Sequence, residues 1–376
     1  MSSVSAGHFR HALDACTASV RRTFADHVPL YVCTASFAFV AAAVLLRHPL
    51  SVPFSSGLFF VSNFLQFLAV VLPFVALKQL FLLYREGRSD HPLGALCRRM
   101  IGSALERDRT GNLLHGLLAC TLTVMLFTAL KVEIVKLHPF AWDAAFMRAD
   151  EIIGFGTPYW QRLQPVLGYP LITAILSFVY AAWFVVMFGC LFWQLSRPRT
   201  EPLRSQFLLA FVLCWFFVGF VLATVFSSAG PCFYSHVVRG PDPYAPLMQY
   251  LRHTREHWPI WTIDAQDILW RAYLTGKGDL EGISAMPSMH VTIATLLALL
   301  GWRTNRYMGM AFTAFAATIF VGSMMLGWHY SVDGIAAAAL GIAFWFIAGR
   351  ITAGWAAYRA RAIRTAPALG AAVLEQ

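Results

Sequence analysis

Long apolar runs separated by short charged segments dominate this chain. Eight stretches approach the roughly 20 apolar residues that a helix needs to cross a bilayer: 28–46, 58–77, 113–130, 171–193, 207–226, 287–302, 307–326 and 331–348. The sixth is the shortest. Arg10, Arg21 and Arg22 precede the first stretch and no small-residue cleavage site follows it, so it reads as a retained anchor rather than a signal peptide. Two connecting segments are long enough to hold structure. Residues 131–170 mix Trp142, Phe146, Ile152, Ile153, Tyr159 and Trp160 with scattered charges, which suits a helix lying in the membrane interface and broken at Gly154 and Gly156–Thr157–Pro158. Residues 227–286 are richer in Pro, Gly, Trp and Tyr, and both segments read as a lid with aromatic anchors at headgroup level.

Composition supports the same fold class. Hydrophobic residues make up 58% and charged residues 13%, against about a quarter charged in soluble chains, and the mean hydropathy is +0.59. The expectation is an all-α polytopic membrane protein with about eight transmembrane helices. Disordered, collagen-like and disulfide-framework classes are excluded. With the N-terminus inside, 19 of the 29 Lys and Arg fall on the cytoplasmic side, and most of the others lie in the two long outer loops, where the positive-inside rule is weakest. Both termini are then cytoplasmic. The net charge of +10 reports topology and contact with anionic headgroups, and no nucleic-acid partner is expected because no soluble domain could carry that face. Of the seven cysteines only Cys232 falls on the outer side, so no structural disulfide is expected.

The spans hold few ionisable groups: His115 near an inner end, His290 and Asp333 near outer ends. A proton-coupled transporter buries such groups at mid-membrane, so transport is the weaker reading. Polar residues gather instead at the outer boundary, in 283–290 and 327–334. Pro287 suits a first helical turn, with Ser284 as N-cap. His329 and Asp333 are spaced to share one helical face, where the carboxylate can fix the imidazole tautomer and leave the other nitrogen free to attack. Both helix starts aim backbone N–H groups outward, as anion sites do. A lone interfacial histidine is ordinarily a headgroup contact, and a lone His-x-x-x-Asp pair a local hydrogen bond. Two histidines on separate helices at one level, one with an orienting carboxylate, are a stronger signal.

Pro287–Ser288–x–His290 followed by Gly327–x–His329–Tyr330–x–x–Asp333 resembles the second and third motifs of the type-2 phosphatidic acid phosphatase superfamily, metal-independent phosphatases and phosphotransferases with a six-helix core. The resemblance reaches from about Leu113 to Ala348. It implies His329 as nucleophile through a phosphohistidine, Asp333 as the residue that orients it, and His290 as general acid and then base. Ser288 and the Met289 amide would cradle phosphate. The chain departs from the family at three points. Met289 replaces a glycine, Ser323 stands where the third motif has an arginine, and no K-x-x-x-x-x-x-R-P first motif is found. Arg239, Arg252, Arg255, Arg271 and Lys277 lie in the right loop, and Arg271 and Lys277, nearest the second motif, are the candidate phosphate contacts; the bland alternative for each is a headgroup contact. The missing arginine, the S-A-M-P-S-x-H and G-x-H-Y-x-V-D wording and Ala229–Gly230–Pro231 are more similar to the inositol phosphorylceramide synthase branch, which passes a phosphoryl headgroup from a phospholipid to a lipid alcohol in sphingolipid metabolism.

Other patterns carry less. His253, Glu256 and His257 spell an inverted zinc-protease motif, but the loop is too short for a protease domain. Gly276–Lys277–Gly278 follows no strand and is too short for a nucleotide loop. The organisation expected is 1–112 as cytoplasmic N-terminus plus two extra helices, 113–348 as the catalytic core and 349–376 as a basic cytoplasmic tail. The function expected is a membrane phosphotransferase acting on a phospholipid or lipid-phosphate donor, with a lipid alcohol as acceptor. With water as acceptor it would be a lipid phosphatase. A non-catalytic lipid-binding protein or transporter is the reading from another class. No cofactor and no metal are implied. The site is expected on the outer face, periplasmic if the membrane is a bacterial inner membrane.

Overall fold

In lipid a backbone has no hydrogen-bond partner except itself, so uncharged runs of this length become helices. A computed structural model of the protein describes residues 14–47, 54–86, 92–198, 201–276 and 282–373. The helices used below are α1 (Asp14–Leu45), α2 (Phe54–Arg85), α3 (Pro92–Leu105), α4 (Arg109–Lys131), α5 (Asp143–Ile153), α6 (Tyr159–Leu167), α7 (Pro170–Leu195), α8 (Pro202–Val225), α9 (Ala245–Arg255), α10 (Trp261–Thr275), α11 (Met289–Thr304), α12 (Arg306–Met325) and α13 (Ser331–Val373). No strand occurs among the described residues. The chain is an all-α polytopic membrane protein.

Seven of these helices (α1, α2, α4, α7, α8, α12 and α13) are long and apolar enough to cross a membrane. The expected sixth span is α11, whose 16 residues reach about 24 Å at 1.5 Å per residue, less than a hydrocarbon core of about 30 Å. Its neighbours explain how it tolerates this. α7, α8, α12 and α13 pack around it, and Val291, Ile293, Ala294, Leu296, Leu297 and Leu300 are all buried. A helix enclosed by others need not match the bilayer by itself. α2 stands at the other extreme, with Leu58, Phe59, Leu65, Phe74 and Leu77 exposed on its surface, as a lipid-facing helix requires.

Residues 131–170 form the broken amphipathic pair that the aromatic pattern predicts. α5 ends at Gly154, whose amide returns to the Asp150 carbonyl at 2.8 Å, and α6 begins after Pro158. α5 buries Asp143, Phe146 and Asp150 on one face and lays that face against the start of α13. α13 itself does not stop at 348. It continues as one helix through Val373, because the Ala-rich continuation has high helix propensity.

Candidate active site

α12 ends at Met325, and the chain turns back so that the Ser323 carbonyl accepts both the Trp328 amide at 2.9 Å and the His329 amide at 3.0 Å. This turn delivers His329 to a point just before α13 rather than on it. The histidine is still held as its spacing predicts. Nδ1–H donates to Asp333 Oδ2 at 3.3 Å, and the same oxygen accepts the Tyr330 amide at 3.1 Å. An acid three residues into a helix that accepts the N–H just before it is half of a capping box. One carboxylate therefore both starts the helix and orients the imidazole. His329 is buried but for 8% of its surface and Asp333 wholly so. The Nε2 of His329 has no partner among the described hydrogen bonds.

The second histidine is set by the start of α11, and here the expected cap is corrected. Ser288, not Ser284, is the N-cap: its hydroxyl accepts the Val291 amide at 3.4 Å, and Pro287 precedes the helix after a cis Met286–Pro287 bond. The helix cannot start earlier because Ser228 holds the preceding residues extended. Its carbonyl accepts the Ala285 amide at 2.9 Å and its hydroxyl the Met286 amide at 3.1 Å. Ser288 also donates its amide to the Asp333 carbonyl at 3.5 Å, so the two motifs touch directly. Ser288 is fully buried. The His290 ring packs against α7, 4.3 Å from the Tyr180 ring and nearly parallel to it, and 4.2 Å from Trp183. Trp183 also donates its indole N–H to the His290 carbonyl at 3.0 Å. Stacking rather than a hydrogen bond orients this imidazole among the described residues.

Two carboxylates that the motifs do not contain complete the frame. They lie about two turns apart on the buried face of α5. Asp143 accepts the amides of Ala229 and Gly230, both at 2.9 Å, and the Tyr330 hydroxyl at 2.8 Å. Asp150 accepts the Ser331 amide at 2.9 Å, the Ser331 hydroxyl at 2.5 Å and the Tyr244 hydroxyl at 2.9 Å. The residues on either side of His329–Tyr330 are thus tied to one interfacial helix. Burial pushes the Asp143 carboxyl above its ordinary value, against the pull of the Ala229 and Gly230 amides and the Tyr330 hydroxyl. The Tyr244 and Tyr330 hydroxyls are also raised, first by burial and then by the charge of the carboxylate each serves. Gly230 has φ +96°, and a Cβ there would stand 2.6 Å from the Trp328 carbonyl oxygen, so only glycine lets this loop lie against the histidine turn.

The motif residues His290, His329, Asp333, Ser288 and Met289 are brought together. Arg271 is not among them: it is exposed on α10, with Nε donating to the Asp267 carbonyl of its own helix at 3.2 Å. Lys277 lies outside the described residues. Spacing alone missed Asp143, Asp150, Tyr180, Trp183 and Tyr244. The available signal was a pair of acids on the same face of α5 as Phe146, which an interfacial helix would otherwise turn to water. Among the described residues no three His, Cys, Asp or Glu side chains gather as a metal would require. His253 and Glu256 pair with each other at 3.4 Å on an exposed helix end.

The arrangement offers an oriented imidazole with a free nitrogen and a second imidazole in the first turn of a helix whose N-cap touches the same motif. That set can carry a nucleophilic displacement at phosphorus and move the accompanying proton. A family model described as the PAP2 superfamily matches residues 144–347, from α5 into α13 and across both histidines. No curated protein and no solved structure matches the chain.

Proposed function

The chain belongs to the PAP2 superfamily, and we propose from this that it is a membrane phosphotransferase that moves a phosphoryl headgroup from a lipid phosphoester to a lipid alcohol. His329 Nε2 attacks phosphorus while the bond from phosphorus to the leaving lipid oxygen breaks. His290, protonated at that stage, gives its proton to that oxygen. The acceptor hydroxyl then attacks the phosphohistidine, His290 takes its proton back and the P–N bond breaks, so both histidines return to their starting forms. Asp333 stabilises the imidazolium character that His329 gains on attack. The Met289 amide at the start of α11 and the neighbouring helix dipole face the phosphate oxygens.

One observation carries the reading. His329 is held through Nδ1 by Asp333 at 3.3 Å, which leaves Nε2 free. A transferase closest to the inositol phosphorylceramide synthase branch is favoured over a phosphatase because Ser323 leaves no arginine at the third-motif position, and a phosphodiester donor carries one charge fewer than a phosphomonoester. The site is proposed to face the outer side of the membrane, periplasmic in a bacterium, with both termini cytoplasmic.

The test is mass spectrometry of products after purified protein meets mixed phospholipids, lipid phosphates and lipid alcohols, with His329→Ala as control. A headgroup-bearing lipid absent from the variant supports the transferase. Dephosphorylated lipid with inorganic phosphate makes it a phosphatase. Identical products from both proteins overturn the enzyme reading.

A further inference from the structure

We propose that the groove between α1, α8 and α13 binds one anionic phospholipid from the leaflet opposite the candidate active site. The histidine turn stands just before Ser331, where α13 begins, and α13 reaches the groove only at Arg350. The rise from Ser331 to Arg350 is about 28 Å at 1.5 Å per residue, close to a hydrocarbon thickness of about 30 Å. Groove and histidines therefore lie at opposite faces of the membrane. A lipid seated in the groove is far from His329 and His290, so the site stands independently of the phosphotransferase reading.

The cavity measures about 520 Å³, within the roughly 300–1,000 Å³ of small-molecule sites. Val32 and Cys33 line it from α1, Leu213 and Phe216 from α8, and Ile351 and Gly354 from α13. Between Leu209 and Phe217, α8 rises about 12 Å, most of the half-thickness of about 15 Å that one leaflet offers an acyl chain. The walls are fixed without a lipid. The Trp355 indole N–H donates to the Ala25 carbonyl at 2.7 Å and Arg359 pairs with Asp26, which ties the far part of α13 to the start of α1. The Phe216 ring packs on Phe37 at 4.7 Å and the Phe217 ring on Phe344 at 5.5 Å. Both phenylalanines sit in a π-helical stretch of α8, Cys214–Leu222, a rare form concentrated at functional sites.

Charge selects the headgroup. Residues 334–349 carry none, and Arg350 is the first charged side chain after them. It lines the groove and is exposed, and no ion pair or hydrogen bond engages it among the described residues. The neighbouring arginines are committed: Arg359 to Asp26, and the buried Arg204 to His27 Nε2 at 3.0 Å and the Asn112 carbonyl at 2.6 Å. Further along α13 the Trp355 and Tyr358 rings stack at 5.5 Å, and such side chains mark the level of the membrane interface. An apolar trough that meets an unpaired cation beside an aromatic pair matches an acyl chain joined to an anionic headgroup. A second copy of the chain fits less well, because a two-fold contact through this groove would bring both Arg350 side chains into one interface.

The test uses the full chain, stripped of lipid in detergent and titrated with phosphatidylglycerol or phosphatidylcholine of equal chain length, with bound lipid counted by native mass spectrometry. Phosphatidylglycerol should fill the first site more tightly. Arg350→Gln should reduce that preference by about fivefold, the effect of one basic side chain at an anionic surface, and leave phosphatidylcholine binding as it was. Gly354→Trp should close the trough and weaken the first binding event for both lipids by about tenfold or more, from a position where an added Cβ meets nothing within 4 Å. Elution volume and Tm without lipid check that Gly354→Trp folds, and Arg350→Gln carries the test alone if it does not. Equal binding of the two lipids by the wild type, an unchanged preference in Arg350→Gln, or wild-type first-site binding in a folded Gly354→Trp would overturn the proposal. Loss of first-site lipid on dimerisation would make a second copy the occupant and overturn it too.

Discussion

Asp150 is the residue whose removal tests the frame around the nucleophile most sharply. Asp150→Ala strands the Ser331 amide, the Ser331 hydroxyl and the Tyr244 hydroxyl, which the carboxylate binds at 2.9, 2.5 and 2.9 Å, and removes a longer 3.4 Å bond from the part-buried Tyr159 amide. The two hydroxyls can turn toward other acceptors and the part-buried Tyr159 amide can reach water, but the buried Ser331 amide cannot. Each buried donor left without a partner costs about 1–3 kcal/mol. A carboxylate at a helix N-terminus contributes about 0.3–1 kcal/mol more. The expected loss is about 1–4 kcal/mol, a substantial share of the roughly 5–15 kcal/mol that holds a typical domain folded. The start of α13 then shifts, and a displacement of about 1 Å at a reacting group costs on the order of 10²-fold in rate. Thermal unfolding in detergent together with separate kcat and KM measurements checks this. kcat should fall by about 10²-fold with KM within about threefold, since Asp150 touches no substrate. Asp150→Asn keeps an oxygen for Ser331 and can donate to the Tyr244 oxygen, so it should fall between the wild type and alanine. Wild-type Tm and kcat in Asp150→Ala would refute the argument.

Asp333→Asn keeps the shape but lets the wrong His329 tautomer form, and kcat should drop by about 10²–10⁴-fold with little change in KM; a drop below tenfold would contradict the orienting role. Asp143 titrates higher in the fold than in the unfolded chain. Its contribution is therefore fully present below the ordinary carboxylate value of about 4 and is lost as pH rises through the raised one. The Tm of the wild type minus that of Asp143→Asn should shrink as pH climbs from about 4, and a difference independent of pH would contradict this. Gly230→Ala meets the Trp328 carbonyl from a backbone at φ +96°; a cost of about 1–3 kcal/mol and an activity loss larger than the stability loss implies are expected, checked by unfolding and turnover on the same sample.

The spans were legible because crossing a bilayer demands a long uncharged run, and α4, α7, α8 and α12 fall close to where those runs lie. α11 was legible as a helix but not in its start. Ser288 wins the cap over Ser284 because Ser228, distant in sequence, holds 285 and 286 extended. The same limit hides the rest of the site. His329 and Asp333 are neighbours in sequence, so their contact was visible. Asp143 and Asp150 act on residues that only the folded bundle brings to them, and Tyr180 and Trp183 lie in an apolar run whose inward face carries no label. Arg271 was singled out by proximity along the chain, and in the fold it is exposed on α10 and bonded to the Asp267 carbonyl of its own helix.

The claim that His329 is the nucleophile is tested most directly by trapping. The protein is mixed with donor lipid, quenched in alkali to preserve P–N bonds and digested, and the peptides are analysed by mass spectrometry. A phosphoryl group, bare or carrying its headgroup, is expected on His329 within the first turnover, and none in His329→Ala. A phosphorylated residue elsewhere, or normal product formation by His329→Ala, would contradict it.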